Sequence, residues 1–265
     1  GITTISADVA RRLTQEVPRL DPERVRPIPL GLDHITAASA PAQPDADLTE
    51  LVRALAGPTG ERKRFIVVLG NDFRHKNRDL AIAVWQRVLD AGQPCDLVLA
   101  GLHVRSSSSQ ADETALLAKH VDLRGTAHTV GHVTSASRAW LLANAALVLY
   151  PSSAEGFGFV PYEAATLGTP STFVDFGPLR EISGLHDLPG HWTTDAIAAD
   201  AIAMLSDPQA AERRIAGLRV AIAAPFRCGA EGPCPAASCP AASHCRLRHR
   251  RYPHRRYPRR RRRRG

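Results

Sequence analysis

The sequence is poor in aromatic residues, at 5%, and it contains one methionine and five cysteines in 265 residues. Four of these cysteines fall among the last 38 residues, which leaves Cys95 alone in the rest of the chain. A single cysteine cannot form an intrachain disulfide, so the body of the chain lacks the framework that stabilises many small secreted domains. We therefore expect a cytoplasmic protein, with a membrane-peripheral location as the alternative.

Long hydrophobic runs are missing as well. The longest apolar stretch covers residues 139–151 and is interrupted by Asn144. A membrane-spanning helix needs about 20 apolar residues. The first residues also lack the basic segment followed by an apolar one that marks a secretory signal peptide. Neither a transmembrane segment nor a signal peptide is expected.

Excess positive charge is absent from most of the chain, although the net charge is +8. Residues 1–227 carry 22 Lys plus Arg and 25 Asp plus Glu, whereas residues 228–265 carry 12 Arg and one Glu. This division excludes a basic globular domain of the kind that binds nucleic acid. The arginine-rich end would bind nucleic acid only through phosphates, without sequence preference.

Residues 227–265 differ in composition from everything before them. The pentapeptide C-P-A-A-S occurs twice within residues 234–243, and six consecutive arginines occupy residues 259–264. Such repeats cannot bury apolar surface, so we expect a disordered tail rich in Arg, Pro and Cys. Our hypothesis for its origin is a shifted reading frame. Its cysteines lack the close pairs of a structural zinc site, and neither a metal nor a cofactor is expected in the chain.

Short β-branched runs alternate with longer amphipathic segments from residue 64 to about residue 224. The predicted strands are residues 65–70, 96–101, 127–131, 146–150 and 171–174. The predicted helices are residues 78–89, 113–120, 135–144 and 159–167, followed by two alanine-rich helices between residues 194 and 224. Such alternation indicates parallel strands covered by helices. The sequence therefore predicts an α/β fold with a Rossmann-like, doubly wound parallel sheet.

The first 60 residues follow a different pattern. They predict a strand at 2–5, a helix at 8–16 and a strand at 25–30, which together are too few residues to bury a core. Residues 37–47 are rich in Pro and Ala, a composition typical of a linker or an exposed loop. We predict four parts: the remnant of a first domain with its hinge at 1–36, a linker at 37–60, the main domain at 61–226 and the tail at 227–265.

The segment 150–170, Y-P-S-S-A-E-G-F-G-F-V-P-Y-E-A-A-T-L-G-T-P, follows a predicted strand and enters a predicted helix. Gly156 and Gly158 let the backbone approach a ligand, and the amides at a helix start attract an anion such as a diphosphate. Glu155 and Glu163 would repel a phosphate, so we interpret them as acceptors for neutral hydroxyls of a sugar and a ribose. A lone Glu near a helix start is usually a solvated dipole partner, but the paired spacing favours a binding site.

This string resembles the E-x7-E signature of retaining glycosyltransferases of family 4, which have the two-domain GT-B architecture. Other segments resemble further elements of that family in the same order: residues 28–33, 70–77, 130–133 and 178–181. The resemblance covers residues 2–224 and leaves out only the tail. It implies that the main domain is the C-terminal, nucleotide-sugar donor-binding half of a GT-B protein.

The resemblance also implies a role for each matched residue. Lys76 would neutralise charge on the leaving diphosphate and Glu155 would accept hydrogen bonds from the transferred hexosyl group, so these two are the implied catalytic residues. Transfer would retain the anomeric configuration by a front-face route, with a UDP- or GDP-sugar as donor and a glycan or lipid-linked acceptor. The implied donor-binding residues are Asn71, Arg74, His75, Val133, Gly156, Phe157, Gly158 and Glu163, of which Glu163 would bind the ribose.

The chain departs from the family pattern in two places. Many relatives have an Arg directly after the first glycine of the first loop, where this chain has Asn71, so either Arg74 replaces that residue or the site is less basic. Almost the whole acceptor-binding domain is absent, which predicts that the chain is a donor-binding half. The H-K-N form of the first loop occurs in many mannosyltransferases and other hexosyltransferases.

Several interpretations stay open on the sequence alone. His75 either contacts the donor or caps the following helix. Trp85 and Trp140 have the spacing of packing residues, and His128 and His132 lie on a predicted strand, where a separation of four residues does not favour a metal site. A sugar-nucleotide epimerase and a non-catalytic nucleotide-sugar-binding remnant are the alternative functions.

Overall fold

The computed structural model of the protein describes residues 1–28, 30–32, 35, 41, 43–58, 60–119 and 126–223. Residues Gly1–Pro225 form one compact unit. The predicted tail lies outside the described residues, and so do Pro29 and Asp33 of the predicted hinge.

The chain begins with a small β-α-β unit made of β1 (Ile2–Thr4), α1 (Ala7–Glu16) and β2 (Val25–Pro27). The two strands pair in parallel, with Ile2 opposite Val25. Ser6 caps α1, because its side chain accepts a hydrogen bond from the Val9 amide. This unit matches the strand, helix and strand predicted for the first residues.

A helical segment follows within the predicted linker. A turn of 3-10 helix at Ala46–Leu48 leads into α2 (Thr49–Ala54). Leu48, Leu51 and Leu55 are buried, so this part of the predicted linker 37–60 packs against the rest of the fold. The helix was missed because the stretch before it is dominated by Pro and Ala, and only three apolar side chains mark its buried side.

The central sheet is formed by β3 (Phe65–Leu69), β4 (Asp96–Ala100), β5 (Ala127–Val130), β6 (Leu147–Tyr150) and β7 (Ser171–Phe173). All five strands are parallel, and their order is β5-β4-β3-β6-β7. The three central strands are buried along their whole length. Continuous apolar runs are typical of such strands, since helices cover both faces of a parallel sheet.

The described helices of this domain are α3 (Arg78–Asp90), α4 (Gln110–Ala118), α5 (Ser135–Asn144), α6 (Val160–Leu167), α7 (Gly177–Ser183), α8 (Thr194–Ser206) and α9 (Pro208–Ala223). Helix α3 packs against α4 and α8, whereas α6 packs against α5 and α9. Along β3, Ile66 belongs to the core that includes Trp85, while Phe65 stacks on Trp140 of α5. The two tryptophans therefore pack on opposite faces of the sheet, as side chains alternate along a strand.

This architecture confirms the predicted α/β fold with a doubly wound parallel sheet. The described strand and helix bounds differ from the predicted ones by at most three residues, and α5 has the predicted bounds. His120 of the predicted helix 113–120 lies outside the described residues. Helix α7 is an addition to the predicted elements.

Arg214 joins α9 to the sheet and is almost completely buried, with 1% of its side chain exposed. Its Nη1 donates to the Ser171 carbonyl at 3.0 Å and its Nη2 donates to Asp200 at 2.9 Å. Removing one member of a buried pair leaves an uncompensated charge. We expect Arg214→Met to lower the free energy of unfolding, measured by urea denaturation, by about 3 kcal/mol.

The neighbouring Arg213 supplies the control, because its side chain is 69% exposed and lies 3.8 Å from Asp207. Arg213→Met should change the free energy of unfolding by less than about 0.5 kcal/mol. Equal effects of the two substitutions would contradict the assignment of Arg214 as the link between α9 and β7.

Candidate active site

The order of the strands identifies the part of the sheet where a ligand is expected. From β3 the chain continues to β4 and β5 on one side, whereas β6 and β7 lie on the other side. Ligands of open α/β sheets bind beyond the carboxyl ends of the strands at such a switch point. Here the loop 70–77 after β3 and the loop 151–159 after β6 border the crevice.

Lys76 and Glu155 connect these two loops directly. Lys76 Nζ lies 2.6 Å from Glu155 Oε1, and the side chains are 19% and 11% exposed, respectively. The hydroxyl of Tyr150, at the end of β6, donates to the same oxygen. Among the described residues, no hydrogen-bond partner reaches Oε2 of Glu155, which leaves that oxygen available for a ligand hydroxyl.

Tyr150 is a site residue that the sequence analysis did not identify. Burial raises its pKa well above the usual value, and the negative charge of Glu155 raises it further. Tyr150 is therefore a neutral hydrogen-bond donor at neutral pH. Lys76 Nζ also lies 5.5 Å from the centre of the Tyr150 ring, within the range of a cation–π contact.

The glycines of the loop after β6 lie in close contact with Ile5 and Leu179, and Gly158 has a backbone conformation that favours glycine. A Cβ on Gly158, whose φ is +83°, would lie 2.7 Å from Leu179 Cδ2. A Cβ on Gly156 would lie 2.7 Å from Ile5 Cδ1. The Phe157 ring is buried and stacks on Phe159 at 4.4 Å, so the side chain of this predicted donor-binding residue packs in the protein.

Glu163 lies in the first turn of α6, and 3% of its side chain is exposed. Arg138 of α5 holds it in a two-pronged ion pair: Nη1 donates to Oε1 at 2.8 Å and Nη2 donates to Oε2. Arg138 was missed by the sequence analysis because it lies 25 residues before Glu163 and on another helix. The two carboxylates of the motif thus have separate cationic partners, Lys76 for Glu155 and Arg138 for Glu163.

The loop after β3 is held against the loop after β4. Asn71 Oδ1 accepts a hydrogen bond from the Leu102 amide at 2.9 Å. A Cβ on Gly101 would lie 2.1 Å from the Gly70 carbonyl oxygen, so the two backbones meet at this point. Arg74 is 69% exposed and lies 3.3 Å from Asp112 in α4. Lys76 is therefore the cation of this loop that the structure pairs with the motif glutamate.

His75 connects the two loops through its backbone. Its carbonyl accepts a hydrogen bond from the Ser153 amide at 2.8 Å and from the Ser152 hydroxyl at 3.2 Å. Burial lowers the pKa of the imidazole, the charge of Lys76 lowers it further, and Glu155 opposes the shift. The alternative that His75 caps the following helix is wrong, since Asn77, in the left-handed conformation at φ +50°, occupies the cap of α3.

The remaining predicted elements surround the same edge of the sheet. Val133 is half-buried in the connection between β5 and α5. The P-L-R-E segment lies in α7, where the carboxylate of Glu181 accepts hydrogen bonds from the Ala7 amide at 2.9 Å and the Asp8 amide at 2.8 Å. Glu181 therefore holds the start of α1.

No three His, Cys, Asp or Glu side chains in the described ranges come together as metal ligands. None of the described helices is long and apolar enough to cross a membrane. Burial raises the pKa of the Cys95 thiol to about 11, so this cysteine stays protonated and unreactive.

Residues 56–218 match the model of the family described as Glycosyl transferases group 1. No curated protein sequence matches the chain. Solved structures with the same fold include WaaG, a glycosyltransferase involved in lipopolysaccharide biosynthesis, at 17% identity and a TM-score of 0.64, with 84% of this chain and 58% of WaaG covered.

Two further structures are similar over a comparable share of the chain. HepE from Anabaena, in complex with UDP and glucose, is 17% identical at a TM-score of 0.61, with 83% of this chain and 57% of HepE covered. Sucrose-phosphate synthase from Thermosynechococcus elongatus is 22% identical at a TM-score of 0.62, with 83% and 52% covered. The chain thus spans little more than half the length of each of these three proteins.

Proposed function

Because this chain belongs to the Glycosyl transferases group 1 family, we propose that it binds a nucleoside-diphosphate sugar and provides the donor half of a retaining hexosyl transfer of the family 4 type. The observation that carries this proposal is the contact of Lys76 with Glu155 at the switch point of the sheet. It brings a cation and a hydrogen-bond acceptor together beside the glycine loop. A diphosphate with a sugar attached needs both.

Lys76 acts on the leaving group. When the bond between the sugar and the diphosphate breaks, negative charge develops on the phosphate oxygen, and the ammonium group stabilises it. Such stabilisation by a fixed donor is commonly the largest single contribution to catalysis. If the diphosphate departs from the same face of the sugar ring that the acceptor attacks, the anomeric configuration is retained and no protein nucleophile is needed.

Glu155 and Glu163 bind neutral hydroxyl groups. Glu155 keeps Oε1 on Lys76 and Tyr150 and offers Oε2 to a hydroxyl of the transferred hexose. Glu163, held by Arg138, accepts from the ribose. The backbone amides of the glycine loop bind the phosphate and the sugar between them. HepE holds UDP and glucose, which supports a UDP-sugar as donor, while the H-K-N loop supports a mannosyl or another hexosyl group.

The parts of the chain have separate proposed roles. Residues 61–226 bind the donor, residues 37–60 join this domain to the remnant of an acceptor domain at 1–36, and the tail at 227–265 takes no part in transfer. A glycan or a lipid-linked sugar is the proposed acceptor. Donor binding without transfer is the alternative, and the rate of nucleoside-diphosphate release separates it from catalysis.

The assignment of Glu155 predicts different effects on two ligands. Calorimetric titration of the wild-type chain with UDP, GDP, UDP-glucose and GDP-mannose first identifies the preferred base. We then expect Glu155→Gln to raise the dissociation constant of the nucleotide sugar by about tenfold. This is the effect expected from losing a hydrogen bond to a charged group. Binding of the free nucleoside diphosphate should be unchanged or tighter, because Lys76 loses its competing carboxylate.

The control is Glu50→Gln in α2, where the native side chain is 86% exposed and pairs with Arg53. It should leave both dissociation constants unchanged. If the wild-type chain binds none of the four ligands, the proposed function is wrong. If Glu155→Gln weakens binding of the nucleoside diphosphate and of the nucleotide sugar equally, only the role assigned to Glu155 is wrong.

A further inference from the structure

Helix α1 lies against the glycine loop, although it precedes residue 56, where the match to the family model begins. Arg12 Nη2 donates to the Glu155 carbonyl at 2.8 Å, and the buried Ser6 hydroxyl donates to the Gly156 carbonyl at 2.9 Å. Two consecutive carbonyls of the loop are thus bound by side chains from the start of the chain. Ile5 packs on the same glycine.

Helix α1 is itself held firmly. The Glu181 carboxylate accepts the Ala7 and Asp8 amides at its first turn. Asp8 is buried and forms an ion pair with Arg12, with Oδ2 lying 2.9 Å from Nε. A Cβ on Gly177 would lie 3.1 Å from Asp8, so α7 and α1 are in close contact. The donors that reach the loop therefore come from a rigid support.

Binding the carbonyls determines where the amides point. A trans peptide is planar and directs its C=O and N–H groups in opposite directions. Because the Glu155 carbonyl points toward Arg12, the Gly156 amide of the same peptide points away from α1. Among the described residues, nothing accepts a hydrogen bond from the Gly156 amide, so it is available to a ligand.

We propose that Arg12 and Ser6 are positioning residues for the Glu155-Gly156 segment. They orient the Gly156 amide toward the sugar and phosphate of the donor and hold the Glu155 backbone, so that its carboxylate meets Lys76. This inference rests on the proposed function. It means that residues outside the family-model match complete the donor site.

The chain offers a matched pair of arginines for the test. Arg11 and Arg12 both form ion pairs with Asp8, but only Arg12 reaches the Glu155 carbonyl. The readouts are the dissociation constant of UDP-glucose, or of GDP-mannose if the wild-type chain prefers it, and the rate of nucleoside-diphosphate release at saturation. We expect Arg12→Met to weaken binding about tenfold, as loss of a charged hydrogen bond does.

The same variant should lower the release rate by about 100-fold, the effect typical of a misplaced reacting group. Arg11→Met should stay within twofold of the wild type in both readouts. Arg12→Lys, which can still donate to the carbonyl, should recover part of the rate at an unchanged melting temperature. A purely structural role would instead make rate and melting temperature fall together.

If Arg12→Met fails to fold, Ser6→Ala tests the contact of the Ser6 hydroxyl with the Gly156 carbonyl. This variant should also lower the rate of nucleoside-diphosphate release. Equal rates and affinities for Arg11→Met and Arg12→Met overturn the inference while leaving the proposed function intact. Absence of nucleotide-sugar binding by the wild-type chain overturns the proposed function, and this inference with it.

Discussion

Lys76→Met should reduce the rate of nucleoside-diphosphate release by about 100- to 1,000-fold at saturating nucleotide sugar, the typical effect of removing one fixed donor from a developing oxyanion. Methionine keeps most of the length of the side chain and removes the charge. The ammonium group has no substitute in its loop, because Asn71 is neutral and Arg74 pairs with Asp112. The rate is measured with water as the acceptor when no acceptor sugar is supplied.

Two controls separate this effect from a loss of folding. Lys119→Met changes an exposed lysine that follows α4, and it should leave the release rate unchanged. Lys76→Met also leaves Glu155 without its cation, so its melting temperature should be compared with that of the double variant Lys76→Met/Glu155→Gln. A release rate within threefold of the wild type for Lys76→Met would disprove the leaving-group role.

Arg138→Met should lower the free energy of unfolding by about 4 kcal/mol, because it removes the cation that pairs with the buried Glu163 carboxylate. Only 3% of the Glu163 side chain is exposed, whereas Arg138 is 31% exposed, so water can solvate the arginine more readily than the glutamate. Nucleotide-sugar binding should weaken as well, because Glu163 loses the two bonds that orient it. Urea denaturation and calorimetric titration measure the two effects.

The double variant Arg138→Met/Glu163→Leu distinguishes stability from function. Apolar side chains in place of a buried ion pair are often neutral or stabilising. We therefore expect the double variant to regain most of the lost stability while nucleotide-sugar affinity stays low. Recovery of both properties would show that Glu163 has only a structural role.

The sheet was predictable because each strand is marked by a short run of consecutive apolar residues. Runs such as F-I-V-V-L at β3 are buried on both sides, and a continuous apolar stretch ended by glycine marks such a strand. The glycine motif was also predictable, since Gly158 has a φ of +83° that favours glycine and Gly156 lies two residues before it. Both features are contained in a few neighbouring residues.

The partners of the motif were not predictable in the same way. Arg138 reaches Glu163 across two helices, and Arg12 reaches Glu155 from 143 residues away. No local spacing marks such contacts, because they depend on how α1, α5 and α6 pack. Tyr150 was visible as the end of a strand, but only the folded chain brings its hydroxyl to Glu155. Helix α2 escaped detection for a different reason, since its few apolar residues follow a Pro-rich stretch.

The ion pair between Lys76 and Glu155 has a consequence for how a ligand arrives. Since these charges cancel locally and residues 1–227 carry a small negative excess, the net charge of the body of the protein supplies no long-range attraction for an anion. On the proposed function, capture depends instead on short-range contacts, in which phosphate oxygens share the Lys76 ammonium group with the Glu155 carboxylate. On the proposed function, we expect association to be slower than for sites with a long-range attraction for anions, and to depend less on ionic strength.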